Sequence, residues 1–135
     1  MIVTYDDVEP VGLADLLGRL IEQNLARDPA RARLLRPAVV TIEATDADVG
    51  ATLRIDRGTV AISMTPRSEA PVRIRAEGHR LFAMVASPVR FGLPDAFTKD
   101  GLAILVAIAA GRIRVRGLLT RLPAIRRLTM LLSAR

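Results

Sequence analysis

The sequence has no cysteine and no tryptophan, and its only histidine is His79. Without cysteine, disulfide scaffolds, Cys-ligated zinc sites and thiol nucleophiles are excluded. A single histidine argues against His-rich metal sites and Ser-His-Asp catalysis. Gly-rich phosphate loops of the G-x-G-x-x-G or Walker type are also missing. The sequence therefore predicts no metal, no cofactor and no enzymatic activity.

Long apolar runs are missing as well. The longest uncharged apolar run, residues 102–110, is about half of the ~20 residues that a bilayer-spanning helix needs. The first residues lack the basic start and apolar core of a secretory signal. These features predict a cytoplasmic location.

What the chain does contain is aliphatic side chains and arginine. Its 135 residues fit one domain, 1–135, and the 50% hydrophobic content argues against disorder. The net charge is +6, and every basic residue except Lys99 is arginine. Arginine pairs bidentately with phosphate and carboxylate, which allows an anionic partner. A general preference for arginine in the source proteome is the alternative.

The spacing of apolar residues predicts four helical segments, with a short additional helix after Asp28. Residues 10–27 form an amphipathic helix, and a second helical pattern begins after Gly78. Residues 101–110 are apolar on every side, so this helix is expected to be buried all round or to line a cavity. A last helix follows Leu118, with Pro123 in its first turn.

Alternating apolar and polar residues predict five strands, over residues 38–44, 53–56, 60–64, 72–75 and 112–116. The links between consecutive strands are short, which favours antiparallel pairing. The predicted fold class is α+β, with a five-stranded, antiparallel-dominated sheet and helices packed on one face.

The strand with its flanks, Ala109–Gly117 (AAGRIRVRG), together with the order of elements, resembles the sterol carrier protein 2 family. The resemblance covers roughly residues 11–133. It implies a five-stranded sheet with helices on one side and a hydrophobic tunnel for sterols, fatty acids or fatty acyl-CoA. Two departures are a longer segment at 88–100 and the absence of a peroxisomal signal, which indicates a stand-alone bacterial-type member.

On this resemblance, we expect non-catalytic binding, and intracellular transfer, of a lipid. The expected cavity lining comprises Ile55, Ile62, Ile74, Phe82, Leu102, Leu105, Val106, Ile108, Ile113, Val115, Leu118, Leu122, Ile125 and Leu132. Phe91, Leu93 and Phe97 are expected either to form a lid or to anchor a surface loop. An interaction or dimerisation module with a collapsed cavity is the first alternative, and a basic nucleic-acid-binding domain is the second, although few aromatic residues are available for base stacking.

Arginines alternate along two of the predicted strands. Arg112, Arg114 and Arg116 share one side of a strand, and Arg73 and Arg75 share one side of another. Glu43 and Asp56 are expected to interleave with them. This outer face is either a solvated, ion-paired surface or a contact for an anionic membrane, an acyl-CoA phosphate or a protein.

Overall fold

The computed structural model describes residues 2–7, 9, 11–86, 89–90, 93–94, 99–117 and 120–132. The helices are α1 (Gly12–Arg27), a 3₁₀ helix (Pro29–Leu34), α2 (Gly78–Ala86), α3 (Lys99–Ala109) and α4 (Leu122–Leu132). The strands are β1 (Val3–Tyr5), β2 (Ala38–Ala44), β3 (Val49–Asp56), β4 (Thr59–Ser63), β5 (Val72–Ala76), β6 (Val89–Arg90), β7 (Leu93–Pro94) and β8 (Arg114–Arg116).

The main sheet has six strands in the order β1-β4-β3-β2-β5-β8. The pairs β1–β4 and β2–β5 are parallel, and the other three neighbouring pairs are antiparallel. Strands β6 and β7 form a separate two-stranded ribbon. The α+β class is confirmed, but the prediction of five strands in an antiparallel-dominated sheet is wrong, because the sheet is mixed and has a sixth strand.

The sixth strand, β1, was missed because three residues are too few to show an alternating pattern. The last strand is also shorter than predicted, since β8 begins at Arg114 and Arg112 precedes it. The side chain of Val3 in β1 is nevertheless buried, and it lies beside Val60 of β4.

The parallel β2–β5 pair arises because the link after β4 crosses the outer face of the sheet. Thr52 Oγ1 donates a hydrogen bond of 2.7 Å to the carbonyl oxygen of Thr65, and the Arg67 N–H donates one of 3.2 Å to Thr41 Oγ1. Gly50 leaves room for the link, since a Cβ there would lie 3.0 Å from the Cβ of Pro66. A short link therefore reaches the far side of β2 instead of returning beside β4.

The main core lies between the inner face of the sheet and the helices α1 and α4. Ile21 of α1 and Leu131 of α4 are fully buried there, against strand residues such as Leu53 and Ile62. Each fully buried aliphatic side chain stabilises the fold by about 1.5–3 kcal/mol. The amphipathic pattern predicted for residues 10–27 is thus confirmed, with the helix beginning at Gly12.

The prediction that helix 101–110 is buried all round is wrong, whereas its alternative, that the helix lines a cavity, stays a prediction. Helix α3 begins at Lys99 and packs by Ile104 and Ala107 into a small second core with Ala76 and Ile113. Leu102 is 50% exposed and Val106 is 54% exposed. The cause is that α3 lies at the end of the sheet, where only one side of the helix meets other described elements.

Candidate ligand-binding cavity

An apolar cavity of about 530 Å³ lies between α1, the inner face of the sheet and the start of α2. Every described side chain that lines it is aliphatic, or the residue is glycine. The described lining residues are Gly12, Leu13, Leu16, Leu17, Leu20, Ile42, Ala44, Ala47, Val49, Ile74, Gly78, Leu81 and Leu132. These residues offer neither a charge nor a side-chain hydrogen bond to a ligand.

Four leucines of α1 form one wall of the cavity. They follow the three- and four-residue spacing that places side chains on one helix face: Leu13, Leu16, Leu17 and Leu20. Leu17 is buried and joins α1 to the main core. Leu16 is 40% exposed although it lines the cavity, so it lies at the opening.

The floor comes from neighbouring strands. Ile42 of β2 and Ile74 of β5 are directly paired in the parallel register, and Ala44 of β2 faces Val49 of β3. Ala44 and Ala47 fill little of the space above the strands, because their side chains are single methyl groups. Val49 is 44% exposed, so the rim of the opening is apolar on this side too.

The start of α2 and the end of α4 complete the cavity. The Gly78 N–H donates a hydrogen bond of 2.8 Å to Asp46 Oδ1, which joins the start of α2 to the turn between β2 and β3. Leu81 packs against both the main core and the second core, and it also lines the cavity. Leu132 lines the cavity from the last turn of α4.

The structure brings two of the predicted lining residues, Ile74 and Leu132, to the cavity wall. Others lie away from this wall: Ile55, Ile62, Ile113 and Ile125 are buried in the packed cores, and Leu105, Ile108, Val115 and Leu122 are half-buried. Leu102 and Val106 lie on the exposed face of α3. Phe91, Phe97 and Leu118 lie outside the described residues, as do the side chains of Phe82 and Leu93.

Sequence reasoning missed the α1 wall. The periodicity placed Leu13, Leu16, Leu17 and Leu20 on one helix face, but that pattern is the same for a helix packed on a solid core. The additional signal was the pair of alanines, Ala44 and Ala47, near the end of β2. Small residues opposite a leucine-rich face leave space, and this space becomes visible only when the strand and the helix are placed together.

A larger cleft of about 720 Å³ lies where β2 and β5 begin. It combines Arg54, Arg121 and Arg127 with threonine, aspartate and apolar residues, and it includes the predicted position Ile55. Asp6 binds Arg54 through both carboxylate oxygens at 2.7 Å. Because charged side chains line this cleft, it suits a hydrocarbon ligand less well than the smaller cavity.

The arginine-rich outer face is ion-paired through Glu43. Its carboxylate lies 2.9 Å from Arg73 Nη2 and 3.0 Å from Arg75 Nε. Arg116 and Arg114 of β8 stand directly opposite these two arginines. Asp56, which was expected to interleave, instead accepts a 2.8 Å hydrogen bond from the backbone N–H that follows it.

The described residues provide no group of three or more His, Asp or Glu side chains suited to a metal ion. His79 is 66% exposed and its Nδ1 lies 3.5 Å from the carboxylate of Glu77.

Burial raises the pKa of Tyr5, and the carboxylates of Glu22 and Asp15 raise it further, against an opposing effect of Arg19. Among the helices of the described residues, none has the length and hydrophobicity needed to cross a membrane.

Comparison with known proteins places the fold. No protein-family model matches the sequence, and no curated protein matches it either. A structure described as a UbiJ-SCP2 ubiquinone synthesis protein is similar, with a TM-score of 0.59 and 16% identity, over 88% of this chain and 90% of that one. The crystal structure of sterol carrier protein 2 is similar with a TM-score of 0.53 and 13% identity, over 84% and 88% of the chains. The chain therefore has a fold of the sterol carrier protein 2 type, as the resemblance implied.

Proposed function

We propose that this chain is a non-catalytic domain that binds a hydrophobic ligand, such as a fatty acid, an acyl-CoA or a sterol-like lipid, and carries it within the cell. The observation that carries this proposal is the cavity of about 530 Å³, in which every described lining residue is aliphatic or glycine. Its volume falls in the range of roughly 300–1,000 Å³ that small-molecule sites occupy.

Binding would be driven by the burial of hydrocarbon, at about 25 cal/mol per Å² of apolar surface removed from water. Since the lining residues that the structure describes carry no polar side chain, a charged headgroup would remain at the opening, near Leu16 and Val49. Selectivity among chain lengths would then be loose. Phe91, Leu93 and Phe97 remain the predicted lid.

The similar fold supports a hydrophobic ligand, because one of the compared structures is itself a sterol carrier protein. The alternative of a dimerisation module assumed a collapsed cavity, and the open space between α1 and the sheet argues against it. An aliphatic wall distinguishes poorly between an acyl chain and a sterol ring, so both kinds of ligand fit this lining.

Displacement of a fluorescent fatty acid tests the proposal. Leu16→Arg places a charge at the apolar opening, and Ala47→Phe fills part of the cavity from an exposed lining position. Both should weaken fatty-acid binding by about tenfold or more, because a charge or lost volume replaces apolar contact. Ile2→Arg is the matched control, since Ile2 has the same 40% exposure as Leu16 and lies outside the cavity.

The control should bind the fatty acid as the wild type does. If wild-type protein fails to bind any fluorescent fatty acid or sterol, the proposal is wrong. Equal binding by all three variants would instead show that the ligand occupies a different site.

A further inference from the structure

The outer face of α3 is an exposed apolar surface. From Gly101 to Gly111 the sequence contains no charged side chain and no side chain that can form a hydrogen bond. Ile104 and Ala107 cover the second core, whereas Leu102 and Val106 on the other face are 50% and 54% exposed. After Lys99, the remaining exposed positions along the helix and its end are small: Ala103, Ala109 and Ala110.

Cations flank α3 at both ends. Lys99 is exposed at the start of α3, and Arg112 and Arg114 are exposed just beyond its end. In the described part of the chain, none of the three forms an ion pair. Glu77 lies in the same groove as the two arginines, and the sequence has one acidic residue within α3, Asp100, beside Lys99.

We propose that the outer face of α3 docks on the surface of an anionic lipid bilayer. The hydrocarbon boundary would take up Leu102 and Val106, and lipid phosphates would pair with Arg112, Arg114 and Lys99. With 11 residues, α3 is about 16 Å long at 1.5 Å per residue, so it lies along the interface and does not cross the bilayer.

The charges favour a membrane over a second copy of the chain. A two-fold contact between two α3 helices would place the positively charged ends of the two helices close together, because Lys99 lies at the start of α3 and Arg112 just beyond its end. A bilayer rich in anionic lipid supplies hydrocarbon for the exposed apolar side chains and negative charge for the cations at the two ends of α3.

The docking face is separate from the cavity. Leu81, which lines the cavity, packs on the core side of α3, against the second core that Ile104 and Ala107 cover. The docking proposal itself stands on the exposed face and its cations, and it does not depend on the cavity.

Co-sedimentation with vesicles tests the docking. Wild-type protein should bind vesicles of phosphatidylcholine mixed with phosphatidylglycerol, and bind vesicles of phosphatidylcholine alone much less. The double variant L102Q/V106Q should bind the anionic vesicles about tenfold or more weakly, since it removes the two large exposed apolar side chains. I2Q/V11Q is the control, because Ile2 and Val11 are exposed apolar residues outside α3.

A second pair of variants tests the charge. K99Q/R112Q should bind the anionic vesicles roughly 25-fold more weakly, about fivefold for each cation near the surface. R33Q/R57Q lowers the net charge equally but away from α3, and it should change binding much less. Vesicle binding uses ligand-free protein, so the membrane proposal and the cavity proposal can fail separately.

Three results would overturn the proposal. The first is that wild-type protein stays in the supernatant with anionic vesicles. The second is that each control variant loses as much binding as its partner. The third combines two observations: wild-type protein does not bind vesicles, and light scattering shows a wild-type dimer that L102Q/V106Q abolishes. That result would assign the outer face of α3 to a second copy of the chain.

Discussion

The side chain of Asn24 in α1 donates a hydrogen bond of 2.8 Å from its Nδ2 to the carbonyl oxygen of Leu131 in α4. Asn24 is 2% exposed, and its Oδ1 accepts a bond of 3.1 Å from Arg27. The last carbonyls of a helix have no partner within the helix. Asn24 therefore satisfies the end of α4 and holds it against α1, close to where Leu132 meets the cavity.

Replacing Asn24 with alanine should destabilise the fold. Asn24→Ala leaves the Leu131 carbonyl without its buried donor, and we expect a loss of about 1–3 kcal/mol in the free energy of unfolding. Urea denaturation followed by circular dichroism measures it. Gln23→Ala, at an exposed neighbouring position, should change stability little. Equal losses in the two variants would contradict the role of this bond.

Removal of the Glu43 carboxylate should expose repulsion among the arginines of the outer face. Glu43 is paired with both Arg73 and Arg75, which face Arg116 and Arg114 across the strands. Glu43→Gln should lower the free energy of unfolding by about 1–3 kcal/mol. Because salt screens like charges, the loss should shrink as ionic strength rises. The exposed Glu69→Gln is the control, and a salt-independent loss would refute this explanation.

Replacing two glycines that have positive φ allows the cost of backbone strain to be compared with the cost of a steric clash. At Gly58, with φ +77°, an added Cβ meets no atom within 4 Å, whereas at Gly117, with φ +82°, it would lie 2.5 Å from the carbonyl oxygen of Pro71. Gly58→Ala should cost about 1–2 kcal/mol, the strain of a left-handed residue. Gly117→Ala should cost more, because Pro71 must also move. Thermal unfolding of the two variants compares them directly, and equal costs would contradict the clash.

Tyr5 should make stability fall at high pH. Burial raises the pKa of its phenol above the ordinary value of about 10, so the folded state favours the neutral form. The unfolded chain then loses this proton first, and the stability that the neutral form contributes is full below pH about 10 and declines as pH rises through the folded pKa. Urea titration at several pH values measures the difference in unfolding free energy between wild type and Tyr5→Phe. This difference should be constant below pH about 10 and change above pH about 10. A flat difference throughout would contradict the shift.

The sequence predicted the individual strands better than their partners. Alternation located β2, β3, β4 and β5, because it reflects one face buried and one exposed. It carries no information on which strand lies next to which. The parallel β2–β5 pair depends on a crossing link that Thr41 and Thr52 hold by hydrogen bonds, and these contacts join residues far apart in the chain.

The candidate site was predictable in kind but not in place. The aliphatic composition and the resemblance indicated a lipid cavity, yet the predicted lining was drawn mainly from α3, α4 and the sheet, and only Ile74 and Leu132 of it line the described cavity. The structure places the cavity under the leucines of α1, opposite Ala44 and Ala47. A void is set by the volumes of facing side chains from separate elements, so spacing along one helix does not reveal it.

The central claim is that the aliphatic cavity under α1 holds a lipid. Native mass spectrometry of freshly purified protein, followed by organic extraction, tests it most directly. We predict an added mass on the wild-type chain, which extraction identifies as a lipid. Leu16→Arg and Ala47→Phe should both reduce this added mass, and Ile2→Arg should retain it. A wild-type chain that carries no added mass and takes up no lipid on incubation would contradict the claim.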